Sequence, residues 1–178
     1  KGRQVGSCIT SRVTNASTTE SFNMPLEPKQ ITSRIYQGGW IVPQDIPELV
    51  QLGITHILNL DLPYEDSLAF REANLTLRNL YIPDYCLMKP QLVRAVIDVI
   101  EESLSSPSHK LYIHCIVGVS RSPTVSWFYL IHTGFSPEEA AARAKPNPVM
   151  VDDVMVQQLI ANRPSFIPSS PTFRALSK

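Results

Sequence analysis

A cysteine and an arginine six positions apart, Cys115 and Arg121, stand in the run His114-Cys115-Ile116-Val117-Gly118-Val119-Ser120-Arg121-Ser122. A thiolate is a strong nucleophile, and a guanidinium is a permanently charged planar fork that grips two oxygens of a phosphoryl group where Lys offers a point charge. The pair suits attack on phosphorus with the other oxygens held in place. Gly118 suits a tight loop that needs positive φ or close backbone approach. Ser122 could donate to the Cys115 sulfur and so make it a better leaving group. His114 either orients the loop through its ring nitrogens or is a packed strand residue.

The flanks say how such a loop is held. Leu111 to Cys115 is short, apolar and β-favouring, and Pro123 to His132 reads as a helix with Pro in its first turn, stopped by Gly134. A loop between a strand end and a helix start aims the backbone N–H groups of Ile116, Val117, Gly118, Val119, Ser120 and Arg121 into one concavity, and the helix dipole adds positive charge there. That cradle favours a phosphate dianion and a thiolate. A bare cysteine and arginine at this spacing would also fit a buried Cys in an ordinary strand, but the full H-C-x-x-G-x-x-R-S between these elements is far more specific.

The segment HCIVGVSRSPT, His114 to Thr124, resembles the active-site signature of the cysteine-based protein tyrosine phosphatases, and its S-R-S ending is most similar to the dual-specificity subgroup. The likeness extends upstream. Ile31, Tyr36 and Gly38 follow an I-x-x-x-x-Y-x-G entry, and Gly53-Ile54-Thr55-His56-Ile57-Leu58-Asn59 is similar to the subgroup's G-I-T-H-x-L-N. The resemblance covers about residues 30–162. One departure is Lys145-Pro146, where the family usually carries Arg-Pro before a Pro-Asn segment that is not evident here.

Composition agrees with one soluble domain. The chain has 178 residues, 43% of them hydrophobic, and 16 Lys plus Arg against 16 Asp plus Glu. That balance gives no global field to recruit nucleic acid or an anionic membrane. No apolar run approaches the ~20 residues of a membrane span, and no signal-peptide pattern opens the chain. Cys8, Cys86 and Cys115 are too few and too scattered for a disulfide framework or a metal-ligand spacing, which favours a reducing intracellular setting, cytoplasmic or nuclear. The sequons at Asn15 and Asn74 read as chance.

Residues 1–28 form a Ser/Thr-rich arm, 29–162 the catalytic domain and 163–178 a Pro-containing tail. Within the domain, strands are expected at 31–40, 54–60, 76–82 and 111–115, and helices at 45–52, 65–74, 91–104, 123–132, 137–145 and 150–162. Ser136-Pro137-Glu138-Glu139 is a capping box. Alternating strands and helices predict an α/β domain with a central, mostly parallel sheet flanked by helices, and with the signature loop between a central strand and a helix. His56 reads as a packed strand histidine.

A serine alkoxide is a very poor leaving group, so hydrolysis needs a proton donor opposite the thiolate. Asp84, thirty-one residues before Cys115 and just past the 76–82 strand, is the candidate, and the family's general acid occupies a similar place. Its rivals are Asp61, Glu65, Asp66 and Asp98. Cys86 could form a disulfide with Cys115 if its loop folds over, although a small packed residue is the simpler reading.

The resemblance implies a metal-free, cofactor-free phosphatase that acts on phosphotyrosine and phosphoserine/phosphothreonine in proteins through a cysteinyl-phosphate. Uncharged Ile116, Val117 and Val119 argue against polyanionic phosphoinositides, where relatives tend to carry Lys in the loop. The G-x-S-R-S form argues against phosphoglucans. A phosphoprotein-binding module without turnover is the alternative of a different class. Sequence leaves the oligomeric state open.

Overall fold

The computed structural model describes residues 26–65 and 67–162. Most of the arm, Cys8, the Asn15 sequon, Asp66 and the 163–178 tail lie outside the described residues. Five strands, β1 (Lys29–Gln30), β2 (Ile35–Gly38), β3 (His56–Asn59), β4 (Thr76–Asn79) and β5 (Leu111–His114), form one sheet in the order β1-β2-β5-β3-β4. Only β1 runs antiparallel to its neighbour; β2, β3, β4 and β5 are parallel. The strand that delivers Cys115 is therefore the central one.

Side-chain alternation along these strands builds a core on each face. Leu58, Leu111 and Ile113 point to one side, with α3 (Pro90–Ser103), α4 (Arg121–His132), α5 (Pro137–Ala144) and α6 (Asp153–Ala161) packed over them. Tyr36, Ile57 and Tyr112 point to the other, under α1 (Ile46–Gln51) and α2 (Leu68–Glu72). Leu26, assigned by sequence to the arm, is buried in this second core.

Of the strand expected over 31–40, only β2 (Ile35–Gly38) forms; residues 31–34 turn, and β1 (Lys29–Gln30) precedes them. Thr32 makes the turn: its Oγ1 accepts the N–H groups of Arg34 at 3.2 Å and Ile35 at 3.0 Å. A side-chain acceptor two or three residues back competes with the ladder for those donors, as Ser and Thr commonly do. The capping box is present as expected. Ser136 Oγ accepts from Glu139 N–H at 3.2 Å, and Glu139 Oε2 accepts from Ser136 N–H at 3.0 Å. Lys145, left-handed at φ 59°, ends α5.

α4 is buried almost all round, including polar Ser122, Thr124 and Ser126. Such a helix has no wet face, which explains why its sequence shows little amphipathic pattern. Its N-terminus abuts the 115–120 loop at the carboxyl end of β5, where parallel sheets leave a crevice for ligands.

Candidate active site

The 115–120 loop is braced from below by two glycines that sequence reading left without a role. Cys115 N–H points to Gly38 O at 3.4 Å, and Trp40 N–H donates to Ile116 O at 2.9 Å. Gly118 has φ 81°, and a Cβ there would lie 2.6 Å from the Gly38 carbonyl carbon and 2.7 Å from Gly39 N. Only glycine fits. The loop thus closes directly onto the turn that follows β2.

Cys115 is a buried, free thiol at the centre of this loop. Its Sγ accepts the Gly118 N–H at 3.3 Å and lies 3.4 Å from Ser122 Oγ. The Ser122 hydroxyl also reaches Gly38 O at 3.0 Å. A hydroxyl has one proton, and a carbonyl only accepts, so Ser122 gives its proton to Gly38 and must rotate to serve sulfur. The expectation that Ser122 donates to Cys115 is thereby amended: it is in reach but otherwise engaged.

Arg121 opens α4 and is 4% exposed. Its Nη2 is ion-paired with Asp61 Oδ2, and its Nη1 donates to Ile82 O at 3.2 Å. Its Nε–H has no acceptor among the described residues, the nearest carboxylate oxygen being Asp84 Oδ2 at 3.7 Å. A buried donor left open beside the loop is the feature a phosphate oxygen would complete.

The two leading carboxylates thus meet the same guanidinium in different settings. Asp61 is 7% exposed, and its Oδ1 accepts the Leu62 N–H at 2.7 Å, so both of its oxygens are committed. Asp84 is 39% exposed on the loop after β4, with Oδ1 accepting from the Tyr85 N–H at 3.0 Å and Oδ2 3.7 Å from Arg121 Nε. Among the other rivals, Asp98 pairs with Arg94 at 2.9 Å on the wet face of α3, and Glu65 is exposed on the loop after β3. Asp66 lies outside the described residues.

His114 is fully buried under this loop. Burial pulls its pKa down to about 4, and Arg121 pushes the same way, while the bond to the Cys115 backbone and the charge of Asp61 oppose. The ring is neutral at pH 7. Its Nδ1 lies 3.4 Å from Cys115 O, an acceptor, so Nδ1 carries the proton and Nε2 accepts from Tyr64 OH at 3.2 Å. Trp40 stacks on Tyr64 with ring centroids 4.2 Å apart. Of the two readings of His114, the orienting one gains this hydrogen-bond chain.

Ser120 ties the far side of the loop to the segment after α5. Asn147 Nδ2 donates to Ser120 Oγ at 3.0 Å, and Asn147 N–H donates to Thr124 Oγ1 at 3.0 Å. Pro146-Asn147 thus ties the segment after α5 back to the loop and to the start of α4. Ile116, Val117 and Val119 turn their side chains outward and offer only backbone to the cradle. His56 sits at the opposite end of the sheet, bonded through Nδ1 to Thr55 Oγ1 at 2.9 Å, with its ring tilted against that of His109 at 4.4 Å between centroids.

The cysteine reading needs one correction. Cys86 is disulfide-bonded while Cys115 is free, so the two are not joined to each other. A disulfide also removes the argument that the cysteine content favours a reducing compartment. No helix among the described residues is long and apolar enough to cross a membrane.

A buried thiol in a strand-loop-helix cradle, with an arginine at the helix start, defines a class, and the relatives agree with it. Residues 41–172 match the family described as "Swiss Army Knife protein, DSP-PTPase phosphatase domain". The chain belongs to the cysteine-based dual-specificity phosphatase family. It is 28% identical over 127 residues to a tyrosine-protein phosphatase of Autographa californica nuclear polyhedrosis virus, covering 68% of this chain and 74% of the viral protein. It is 27% identical over 116 residues to the phosphatidylglycerophosphate phosphatase PTPMT1 of Arabidopsis thaliana, covering 62% of this chain and 34% of the plant protein. Against dual specificity protein phosphatase 26 of Bos taurus it is 31% identical over 100 residues, 54% of this chain and 47% of the bovine one. The chain thus spans less than half of the plant and bovine relatives. Among solved structures, that of PTPMT1 superposes with a TM-score of 0.64 at 18% identity, covering 76% of this chain and 97% of that one. The active form of Tk-PTP gives 0.59 at 21% identity, covering 79% and 97%. At these identities the structures establish the fold alone.

Proposed function

We propose that this phosphatase domain, residues 29–162 between an N-terminal arm and a C-terminal tail, hydrolyses phosphotyrosine and phosphoserine/phosphothreonine in proteins through a cysteinyl-phosphate. The reading is carried by one arrangement: Cys115 Sγ at the loop centre, the open Nε–H of Arg121 beside it, and Asp84 Oδ2 3.7 Å from that nitrogen.

In the first step the Cys115 thiolate attacks phosphorus, and the bond from phosphorus to the ester oxygen breaks. Arg121 and the amides of residues 116–121 hold the three remaining oxygens, which is where charge develops. Asp84, protonated, gives its proton to the departing alcohol. In the second step water attacks phosphorus, Asp84 takes a proton from that water, and the phosphorus–sulfur bond breaks. Rotation of the Ser122 hydroxyl from Gly38 O toward sulfur assists the thiolate's departure. Asp61 holds Arg121 in register and does not itself transfer a proton, because both of its oxygens are engaged.

A second reading, hydrolysis of a lipid phosphomonoester, is favoured by the likeness to a phosphatidylglycerophosphate phosphatase. Turnover of phosphotyrosine peptides, phosphothreonine peptides and a phosphomonoester lipid, in reductant and chelator, ranks the two. The proposal expects both peptide types to be hydrolysed and Cys115→Ser to abolish turnover. Turnover of the lipid alone selects the second reading, and phosphopeptide binding without turnover by the wild type replaces both with a binding module.

A further inference from the structure

The cradle is surrounded by apolar side chains that are more than half exposed. Ile116, Val117 and Val119 project from the loop itself, and three more lie one residue from groups that touch it. Leu62 follows Asp61, which grips Arg121; Tyr85 follows Asp84; and Val149 precedes Met150, whose Sδ accepts from Ser120 Oγ at 3.3 Å. All six are between 55% and 71% exposed, and they make up half of the twelve exposed large apolar side chains among the described residues. A soluble domain scatters such residues singly; gathered around one pocket, they mark a binding surface.

The charge around the ring is as informative. The loops after β3 and β4, residues 60–67 and 80–89, carry Asp61, Glu65, Asp66 and Asp84 against a single cation, Lys89. Arg121 is already matched by Asp61, so these two loops offer an acidic flank one cation, Lys89, among an excess of carboxylates. An acidic segment entering the cradle would meet carboxylates and lose hydration over apolar side chains. An anionic bilayer surface would meet the same mismatch.

Resting on the protein-phosphatase reading, we infer that the preferred substrate is a phosphopeptide segment whose residues beside the phosphorylated side chain are apolar rather than acidic. The phosphate fixes the segment at the centre of the ring, and its neighbours lie over Ile116, Val117 and Val119 on one side and Leu62, Tyr85 and Val149 on the other. Cradle and collar together select one chemistry: a monoester phosphate on an apolar stretch of chain.

The test measures kcat/KM of the full chain for peptides that share one phosphoresidue and differ only in its flanks: leucine and isoleucine, serine and glycine, or aspartate and glutamate. The expected order is apolar, neutral, acidic, with about tenfold or more between the ends, the discrimination one or two apolar contacts give. Added salt narrows the deficit of the acidic peptide by screening the rim carboxylates and leaves the apolar peptide unchanged. The double variant Leu62→Lys with Val149→Lys moves the preference toward the acidic peptide, while its turnover of a small aryl phosphate stays within about twofold, since both side chains are exposed and outside the cradle. Equal rates across the three peptides, or a preference for acidic flanks, overturn the inference and leave the protein-phosphatase reading standing. A lack of turnover on every peptide, with hydrolysis of the aryl phosphate or of a phosphomonoester lipid in zwitterionic vesicles, overturns that reading and the inference with it.

Discussion

The two halves of the candidate site are held very differently. The half that carries the proposed nucleophile is over-determined: Cys115, Ser120, Arg121 and Ser122 are tied to Gly38, Asn147, Asp61 and Ile82 by side-chain and backbone bonds, and a single Cβ on Gly118 would not fit. The half that carries the proposed acid is an exposed loop with Tyr85 at φ 53° next to Asp84 and few hydrogen bonds. That loop is anchored at its ends, by Ile82 N–H to Leu60 O at 3.0 Å and by Met88 N–H to Met150 O at 3.1 Å, and between them by the Cys86 disulfide, while the Asp84 carboxylate stays partly exposed. The contrast fits the two tasks. An oxyanion cradle gains from pre-organisation, whereas a proton donor must approach the leaving group and then the water.

If this division is right, changes on the acid side cut rate without touching stability, and changes on the nucleophile side cost both. The largest effect on rate short of removing Cys115 is expected from Asp84→Asn, about 10²–10⁴-fold in kcat on a peptide substrate. The loss is smaller on an aryl phosphate, whose leaving group needs less help, and the denaturation midpoint is unchanged. A variant that also unfolds more easily would break the contrast. Asp61→Asn comes next. It leaves Arg121 buried without its partner, so it should cost about 3–5 kcal/mol in denaturant titration, along with a rate loss on the order of 10²-fold from a misplaced guanidinium.

Gly118→Ala forces a side chain against Gly38 and a left-handed backbone on a residue with a Cβ. It is expected to cost roughly 1–3 kcal/mol of stability and most of the phosphate affinity, read as a rise in KM.

The smallest effect is one of pH. Burial lowers the folded pKa of His114 to about 4, from about 6.5 for a free imidazole, so the unfolded chain binds the extra proton first as pH falls. Stability is therefore lost between about pH 6.5 and 4, with a slope approaching ~1.4 kcal/mol per pH unit and a total of roughly 3 kcal/mol. Urea titrations across that range should show a shallower loss in His114→Asn than in the wild type. Parallel pH dependences in the two would mean that His114 is not the group responsible.

The parts of this site that could be read from sequence are those that are local along the chain. The strand, loop and helix around Cys115 occupy consecutive residues, and the capping box at Ser136 likewise spans four. Asp84 can be proposed from sequence because its distance from Cys115 and its place after a strand are both linear properties. Asp61 was noticed only as a rival acid, and its grip on Arg121 depends on β3 lying beside β5, a pairing that no periodicity reveals. Gly38, Tyr64 and Asn147 escaped for the same reason: their contacts to the loop cross 27 to 84 residues of chain. The one strand misdrawn, 31–40, failed because a threonine side chain outcompeted the ladder at Arg34 and Ile35.

The central claim is that phosphate passes through the Cys115 sulfur. Rapid quench of the wild type during turnover of a phosphopeptide, followed by mass spectrometry of the peptide containing residues 111–121, tests it most directly. Ser122→Ala, which slows release of sulfur, should raise the signal. The account predicts phosphate on Cys115, formed within one turnover and absent from Cys115→Ser. Undiminished turnover by Cys115→Ser, or phosphate found on a different side chain, would contradict it.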